Sequence, residues 1–284
     1  MGKVALVLGG GGVKGLAHIA LLKKLDEMGV RPSIIVGTSI GALIGALYAH
    51  GLSGEEIEAR IRDHIINDGE GKRDVFKKSK KLLRWMQVFS YERERGGLLS
   101  VDGLLRYLFS EIIDCDFSEL QIPLITVASD LYAAEEAAFS TGDLLPAVLA
   151  SMAVPGVFAP VKIEGKTYID GGILNNLPCS YVGDYVGGKA DCIIASDVIS
   201  LTTEPSLSNT GVISAAINIM IRTASQKQLA EHPADFVFRP NTEGIDAFDF
   251  HKIKRVLECG EDAMRLQSAE LMAQVLTPWL KRPV

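Results

Sequence analysis

The sequence predicts an α/β protein, a three-layer α/β/α sandwich around a mostly parallel central sheet. Short apolar runs bounded by Gly or Pro alternate with longer stretches whose apolar residues recur at helical spacing, the pattern of parallel strands joined by crossover helices. Two glycine-rich turns near the N-terminus each follow an apolar run and open a helical stretch. In a chain of 284 residues, 48% hydrophobic and 23% charged residues suffice for a substantial buried core and argue against disorder.

Lys3 to Leu8 reads as the first strand and Leu16 to Met28 as the helix after it, with Leu16, Ile19, Leu22 and Leu25 on its apolar face and Gly29 as its stop. Ser33 to Val36 follows as a strand, Ile40 to His50 as a helix closed by Gly51, and Gly54 to Ile66 as another helix. Further strands are expected at Ile122 to Ser129, Glu136 to Phe139, Val161 to Ile163, Thr167 to Ile169, Asp191 to Val198 and Phe236 to Phe238. Helices are expected at Leu144 to Met152, Val212 to Leu229 and Lys252 to Val275. No repeat and no Pro- or Ser-rich linker divides the chain, so residues 1–284 read as a single domain. A densely charged stretch at about 68–97 interrupts the alternation and reads as a lid-like insertion over one end of the sheet.

A net charge of −6 gives no general reason to expect a nucleic-acid partner, which normally needs an excess of Lys and Arg. Cys115, Cys179, Cys192 and Cys259 show no CxxC spacing and no adjacent histidine, so neither a metal nor a disulfide framework is expected. No apolar run has the length of a signal peptide or a membrane span, and the expected location is cytoplasmic. The sequence says nothing about oligomeric state. Between Lys72 and Arg84 seven basic residues face one acid, with Phe76 and Leu83 among them. This stretch reads equally as an interfacial helix making peripheral contact with an anionic bilayer and as a solvated helix covering the core.

Gly9-Gly10-Gly11-Gly12-Val13-Lys14-Gly15 lies between the first strand and the first helix. Consecutive glycines are entropically costly, and more of them than a turn requires implies that something approaches the backbone closely. At a helix start their N–H groups make an anion or oxyanion cradle. Gly10, Gly12 and Gly15 also satisfy GxGxxG, the dinucleotide fingerprint, which keeps a nucleotide-binding oxidoreductase open as an alternative. Against it, the next strand carries no acid at its end to hold a ribose hydroxyl.

Gly37-Thr38-Ser39-Ile40-Gly41 matches GxSxG between a β-branched strand and a helix rich in small residues, the setting of a nucleophile elbow. In the alternative reading Ser39 is merely the N-cap of that helix. A serine nucleophile needs a base. Ser39, Asp197 and either His232 or His251 would fit the α/β-hydrolase order, but an elbow after only the second strand does not suit that fold. Tyr168-Ile169-Asp170-Gly171-Gly172 offers a carboxylate at the end of an apolar strand, with glycines that admit a neighbouring loop; read alone it is also a hairpin turn.

The glycine loop ending in Lys14-Gly15, then GTSIG, then Asp170-Gly171-Gly172, in that order, resembles the patatin-like phospholipase family. The stretches Ala150 to Pro160 and Ala128 to Leu131 resemble two further segments of that family. The resemblance implies a patatin-like fold of the FabD/lysophospholipase type and a lipid acyl hydrolase without metal or cofactor. Ser39 would be the nucleophile, Asp170 its base, and Gly10, Gly11 and Gly12 the oxyanion hole. Val13, Lys14, Gly15, Gly37, Gly41, Gly171 and Gly172 would support these motifs. The implied substrate is a phospholipid, lysophospholipid or neutral lipid ester. A catalytically idle lipid-binding regulator on the same fold is the other alternative. Beyond about Val198 no motif can be carried over.

Overall fold

The computed structural model describes residues 3–63, 114–185, 190–200 and 209–280. The expected insertion at 68–97 and the basic stretch 72–84 lie outside these residues. The described strands are β1 (Val4–Leu8), β2 (Ile34–Thr38), β3 (Leu124–Asp130), β4 (Glu135–Phe139), β5 (Val161–Ile163), β6 (Lys166–Asp170), β7 (Cys192–Ser196) and β8 (Phe236–Phe238). The helices are α1 (His18–Glu27), α2 (Ile40–His50), α3 (Gly54–Ile61), α4 (Leu144–Ser151), the one-turn α5 (Val182–Tyr185), α6 (Asn209–Glu231) and α7 (Ile253–Leu280).

The strands form one mixed sheet in the order β5-β6-β3-β2-β1-β7-β8, with β4 also paired to β3. β3, β2, β1, β7 and β8 run parallel, whereas β4, β5 and β6 pair antiparallel. Period-two alternation sorts the central strands between two apolar layers. Val4, Leu6, Leu8, Ile35 and Ile194 pack with α1, α2, α3, α4 and α7 on one face. Ala5, Val7, Ile34, Val36, Ile125 and Val127 pack on the other against Leu177, Cys179 and Val182, with Leu229 of α6 at its margin. These are the three layers that the alternating pattern predicts.

One feature of the sheet brings distant segments together. β4 occupies one edge of β3 from Thr126 to Asp130. The other edge is therefore shared in succession, by β2 as far as Val127 and by β6 from Ala128 onward. β2 runs parallel to β3 and β6 antiparallel, so both end at the same point on that edge, with Thr38 opposite Val127 and Asp170 opposite Ala128. Whatever follows Thr38 must meet whatever ends β6.

Several boundaries differ from the sequence reading, each for a local reason. The first helix is preceded by a 3₁₀ turn over Gly12–Ala17, and the α-helix begins only at His18; the glycines carry the tight winding. β2 continues to Thr38, two residues further than expected, because it pairs with β1 as far as Gly37 and with β3 as far as Thr38. α3 starts as expected, fixed by a capping box in which Ser53 and Glu56 satisfy each other's backbone N–H groups.

Candidate active site

Ser39 sits on the junction between β2 and α2 with φ 55° and ψ −126°, a left-handed φ that a side chain rarely adopts. Such a conformation costs on the order of 1–3 kcal/mol and persists only where its surroundings hold it. Here they do. The Ser39 N–H donates to Ser151 Oγ at 2.8 Å, and the Ser151 hydroxyl donates onward to the Val127 carbonyl at 2.6 Å. The Ser39 carbonyl accepts the N–H groups of Ala42 and Leu43, which starts α2. The turn also requires Gly37 and Gly41: a methyl group on Gly37 would lie 2.6 Å from the Gly41 carbonyl oxygen, and one on Gly41 would strike the Leu8 carbonyl.

Ser39 Oγ donates to Asp170 Oδ2 at 2.6 Å, and Asp170 Oδ1 accepts the Gly172 N–H at 2.7 Å. The Asp170 backbone is fixed as well, its N–H donating to the Ala153 carbonyl at 2.9 Å and its carbonyl accepting the Ser129 hydroxyl at 3.1 Å. The segment Ser151–Ala153 thus grips both partners, Ser39 through the Ser151 hydroxyl and Asp170 through the Ala153 carbonyl. Burial pushes the Asp170 carboxyl up to about 6, against the opposing pull of its bonds from Ser39 and Gly172. Both side chains are buried, Ser39 and Asp170 each at 6% exposure.

The glycine loop abuts this pair. A methyl on Gly10 would lie 3.1 Å from Ser39 Cβ and 2.5 Å from Asn176 Oδ1, so any side chain here would displace Asn176 and crowd the serine. Gly10 is held by Asn176 at both ends: its N–H donates to the Asn176 carbonyl at 3.2 Å and its carbonyl accepts Asn176 Nδ2 at 3.3 Å. Of the three amides expected to receive negative charge, that of Gly10 is therefore already engaged. Those of Gly11 and Gly12 donate to nothing among the described residues. Gly12, at φ 57°, lies against Ala247, whose carbonyl accepts the Val13 N–H at 2.8 Å. Gly15 is pressed against Ile40, the residue after the serine.

Val13 is part of the core, and Lys14 is buried with an ammonium that has no hydrogen-bond partner among the described residues. Desolvation lowers its pKa, while Asp246 and Asp249 pull the other way. Gly171 packs edge-on against the Val127 carbonyl, and Gly172 lies beside Asn176 and Asp170. His232 and His251 are exposed, and Ser39 Oγ is bonded to Asp170 instead of either. Among the described residues no group of three or more His, Cys, Asp and Glu side chains could hold a metal ion, and no helix is long and apolar enough to cross a membrane.

The sequence reading left Ser151, Asn176 and Ala247 without roles. Ser151 carried a signal, being a polar end to the apolar run Leu144–Ala150, where a buried hydroxyl must find partners. Ala247 carried none, since it acts through a backbone carbonyl that any residue has, and Asn176, which holds Gly10 through its carbonyl and its side-chain amide, stands in a loop with no local pattern to mark it. Replacing Ser151 by Ala strips the strained Ser39 N–H of its acceptor, and the loss expected from one orphaned buried donor is about 1–3 kcal/mol in urea denaturation. An unchanged midpoint would mean that this N–H has another acceptor.

An α/β sandwich in which a serine elbow after the second strand faces an aspartate closing an antiparallel strand is a patatin fold. The patatin-like phospholipase family model matches residues 6–182, and the chain belongs to that family. That match takes in the glycine loop read alternatively as a dinucleotide fingerprint. The chain is 30% identical over 224 residues to an uncharacterized NTE family protein of Mycobacterium bovis, spanning 78% of this chain and 57% of that one. It is 32% identical over 197 residues to the patatin-like phospholipase domain-containing protein 6 of Mus musculus, spanning 69% of this chain and 13% of that one. Two solved structures share the fold. VipD from Legionella pneumophila gives a TM-score of 0.51 at 16% identity, covering 94% of this chain and 67% of its own. Human GIVD cytosolic phospholipase A2 gives 0.54 at 11% identity, covering 99% and 61%.

Proposed function

We propose that the protein is a lipid acyl hydrolase in which Ser39 and Asp170 form a catalytic dyad. The observation that carries this reading is the 2.6 Å contact between Ser39 Oγ and Asp170 Oδ2 at a buried, strained elbow beside backbone amides that donate to nothing among the described residues. Family membership and relatives named for phospholipase and esterase activity support a carboxylic ester of a lipid as the substrate.

In the reaction, Ser39 Oγ attacks the ester carbonyl as its proton passes to Asp170. The charge that develops on the carbonyl oxygen falls to the N–H groups of Gly11 and Gly12, at the start of the 3₁₀ turn leading into α1. Collapse of the tetrahedral intermediate expels the alcohol, which takes the proton from Asp170 and leaves an acyl group on Ser39. Water then attacks the acyl carbonyl as the same carboxylate takes its proton, and the fatty acid leaves as that proton returns to Ser39 Oγ. An ordinary carboxylate is a weak base for an alcohol, and burial narrows the gap by raising the proton affinity of Asp170. Residues 1–284 act in this scheme as one domain.

A fluorophosphonate probe tests the reading directly. Stoichiometric labelling of the purified protein at Ser39, abolished in Ser39→Ala, is the expected result. A wild-type protein that binds lipid vesicles and takes up no label would instead be an idle lipid-binding protein.

A further inference from the structure

His18 is a fully buried ionisable side chain that the proposed chemistry does not use. It opens α1, and its ring spans the ends of β1 and β7. Nε2 lies 2.8 Å from the Gly9 carbonyl oxygen, and Nδ1 lies 2.7 Å from Ser196 Oγ. A carbonyl can only accept, so Nε2 carries the hydrogen and the bare Nδ1 accepts from the Ser196 hydroxyl. Burial pushes the imidazole down to about 4, which keeps the ring neutral in that tautomer at neutral pH.

The same strand end completes the grip, because the Gly9 N–H donates to the Ser196 carbonyl at 3.0 Å. Gly9 is therefore held at both its N–H and its C=O, as Gly10 is by Asn176. Gly11 and Gly12 follow, and among the described residues their own N–H groups donate to nothing. Glycine imposes little direction on a backbone by itself. The Gly11 amide shares its peptide plane with the Gly10 carbonyl that Asn176 holds, the Gly12 amide shares its own with the Gly11 carbonyl that accepts the Lys14 N–H at 3.3 Å, and both planes follow from the anchor at Gly9.

We propose that His18 is a positioning residue for ester hydrolysis: by holding the Gly9 carbonyl it keeps the Gly11 and Gly12 amides directed at the oxyanion. The inference rests on the acyl-hydrolase reading above. An oxyanion exists only in the transition state and the intermediate, so misdirected amides lower kcat and leave KM nearly unchanged. A side chain that merely filled the core would show no such split.

Two isosteric variants test it. In His18→Gln the amide nitrogen takes the place of Nε2 and reaches Gly9, whereas in His18→Asn the shorter amide reaches Ser196 and falls short of Gly9. Outright loss of an oxyanion donor costs about 10²–10³-fold, so a loosened loop in His18→Asn is expected to cost about 10–100-fold in kcat, with KM within about twofold. His18→Gln should recover most of that loss. Hydrogen exchange of the amides over residues 9–16, which needs no turnover, should speed up at least about tenfold in His18→Asn and stay near wild type in His18→Gln. Wild-type kcat and exchange in His18→Asn would overturn the proposal, as would equal damage in both variants. If the wild type neither hydrolyses ester nor takes up label, the hydrolase reading and the catalytic part of this proposal fall together; the exchange comparison still decides whether His18 holds the loop. Should His18→Asn fail to fold, Ser196→Ala removes the hydroxyl that holds the far side of the imidazole and is expected to give the same split more weakly; an unaltered kcat there also overturns the proposal.

Discussion

Replacing Asp170 by Asn is expected to lower kcat for ester hydrolysis by about 10⁴-fold and, at neutral pH, to make the protein more stable. The loss follows from chemistry: an amide of nearly the same shape cannot take the proton from Ser39 Oγ. The gain follows from burial. In the folded chain the carboxyl titrates near 6, whereas its ordinary value is 3.8. The folded state thus binds this proton more tightly than the unfolded state. Stability is greatest below about pH 4, falls as pH rises through the window between about 4 and about 6, and stays lower above it. At about 1.4 kcal/mol per pKa unit, the deficit at neutral pH is about 3 kcal/mol. Asn has no charge to bury, and its amide can still accept from Gly172 and donate to Ser39 Oγ. Urea denaturation should place Asp170→Asn about 1–3 kcal/mol above wild type at pH 7.5, with the gap closing near pH 4. A variant that is inactive and also less stable at pH 7.5 would show that the carboxylate is held mainly by its hydrogen bonds. One that hydrolyses ester at the wild-type rate would discard the dyad.

The layers of the fold were legible because they depend on local pattern. Val4 to Leu8 is apolar on both faces, as a central parallel strand must be, and the GTSIG turn declares itself through small residues at fixed offsets from Ser39. The sequence order of the motifs pointed to Asp170, but nothing local says that β6 approaches β3 end-on to β2. That meeting depends on both strands pairing with β3, and it joins side chains 131 residues apart. His18 shows the opposite limit. Within Leu16–Leu22 it reads as one polar residue on an apolar helix, and its partners, Gly9 and Ser196, come from the ends of two strands. Burial of a histidine implies partners without naming them. The glycine loop lies between β1 and α1 as expected, yet the commitment of the Gly10 amide to Asn176 required the register of a loop from the other half of the match. Period and spacing encode elements; which backbone groups remain free is set by how the elements dock.

The same carboxyl sets the pH dependence expected of the reaction. Only ionised Asp170 can accept the Ser39 proton, so kcat/KM should rise about tenfold per pH unit at low pH and level off above an apparent pKa near 6. At pH 4 the rate should be roughly a hundredfold below its plateau. Protonation of Asp170 favours the folded state, so this group does not itself drive acid unfolding, and activity lost through it should return fully on readjustment to pH 7.5. Stopped assays on a soluble short-chain ester avoid changes in the lipid surface with pH. An acidic limb near 4 would mean that the working carboxylate is hydrated like a surface aspartate, and burial could then no longer explain how a carboxylate serves as base to an alcohol. A limb near 6 that persisted in Asp170→Asn would assign the titration to another group and leave Ser39 without the partner that the geometry gives it.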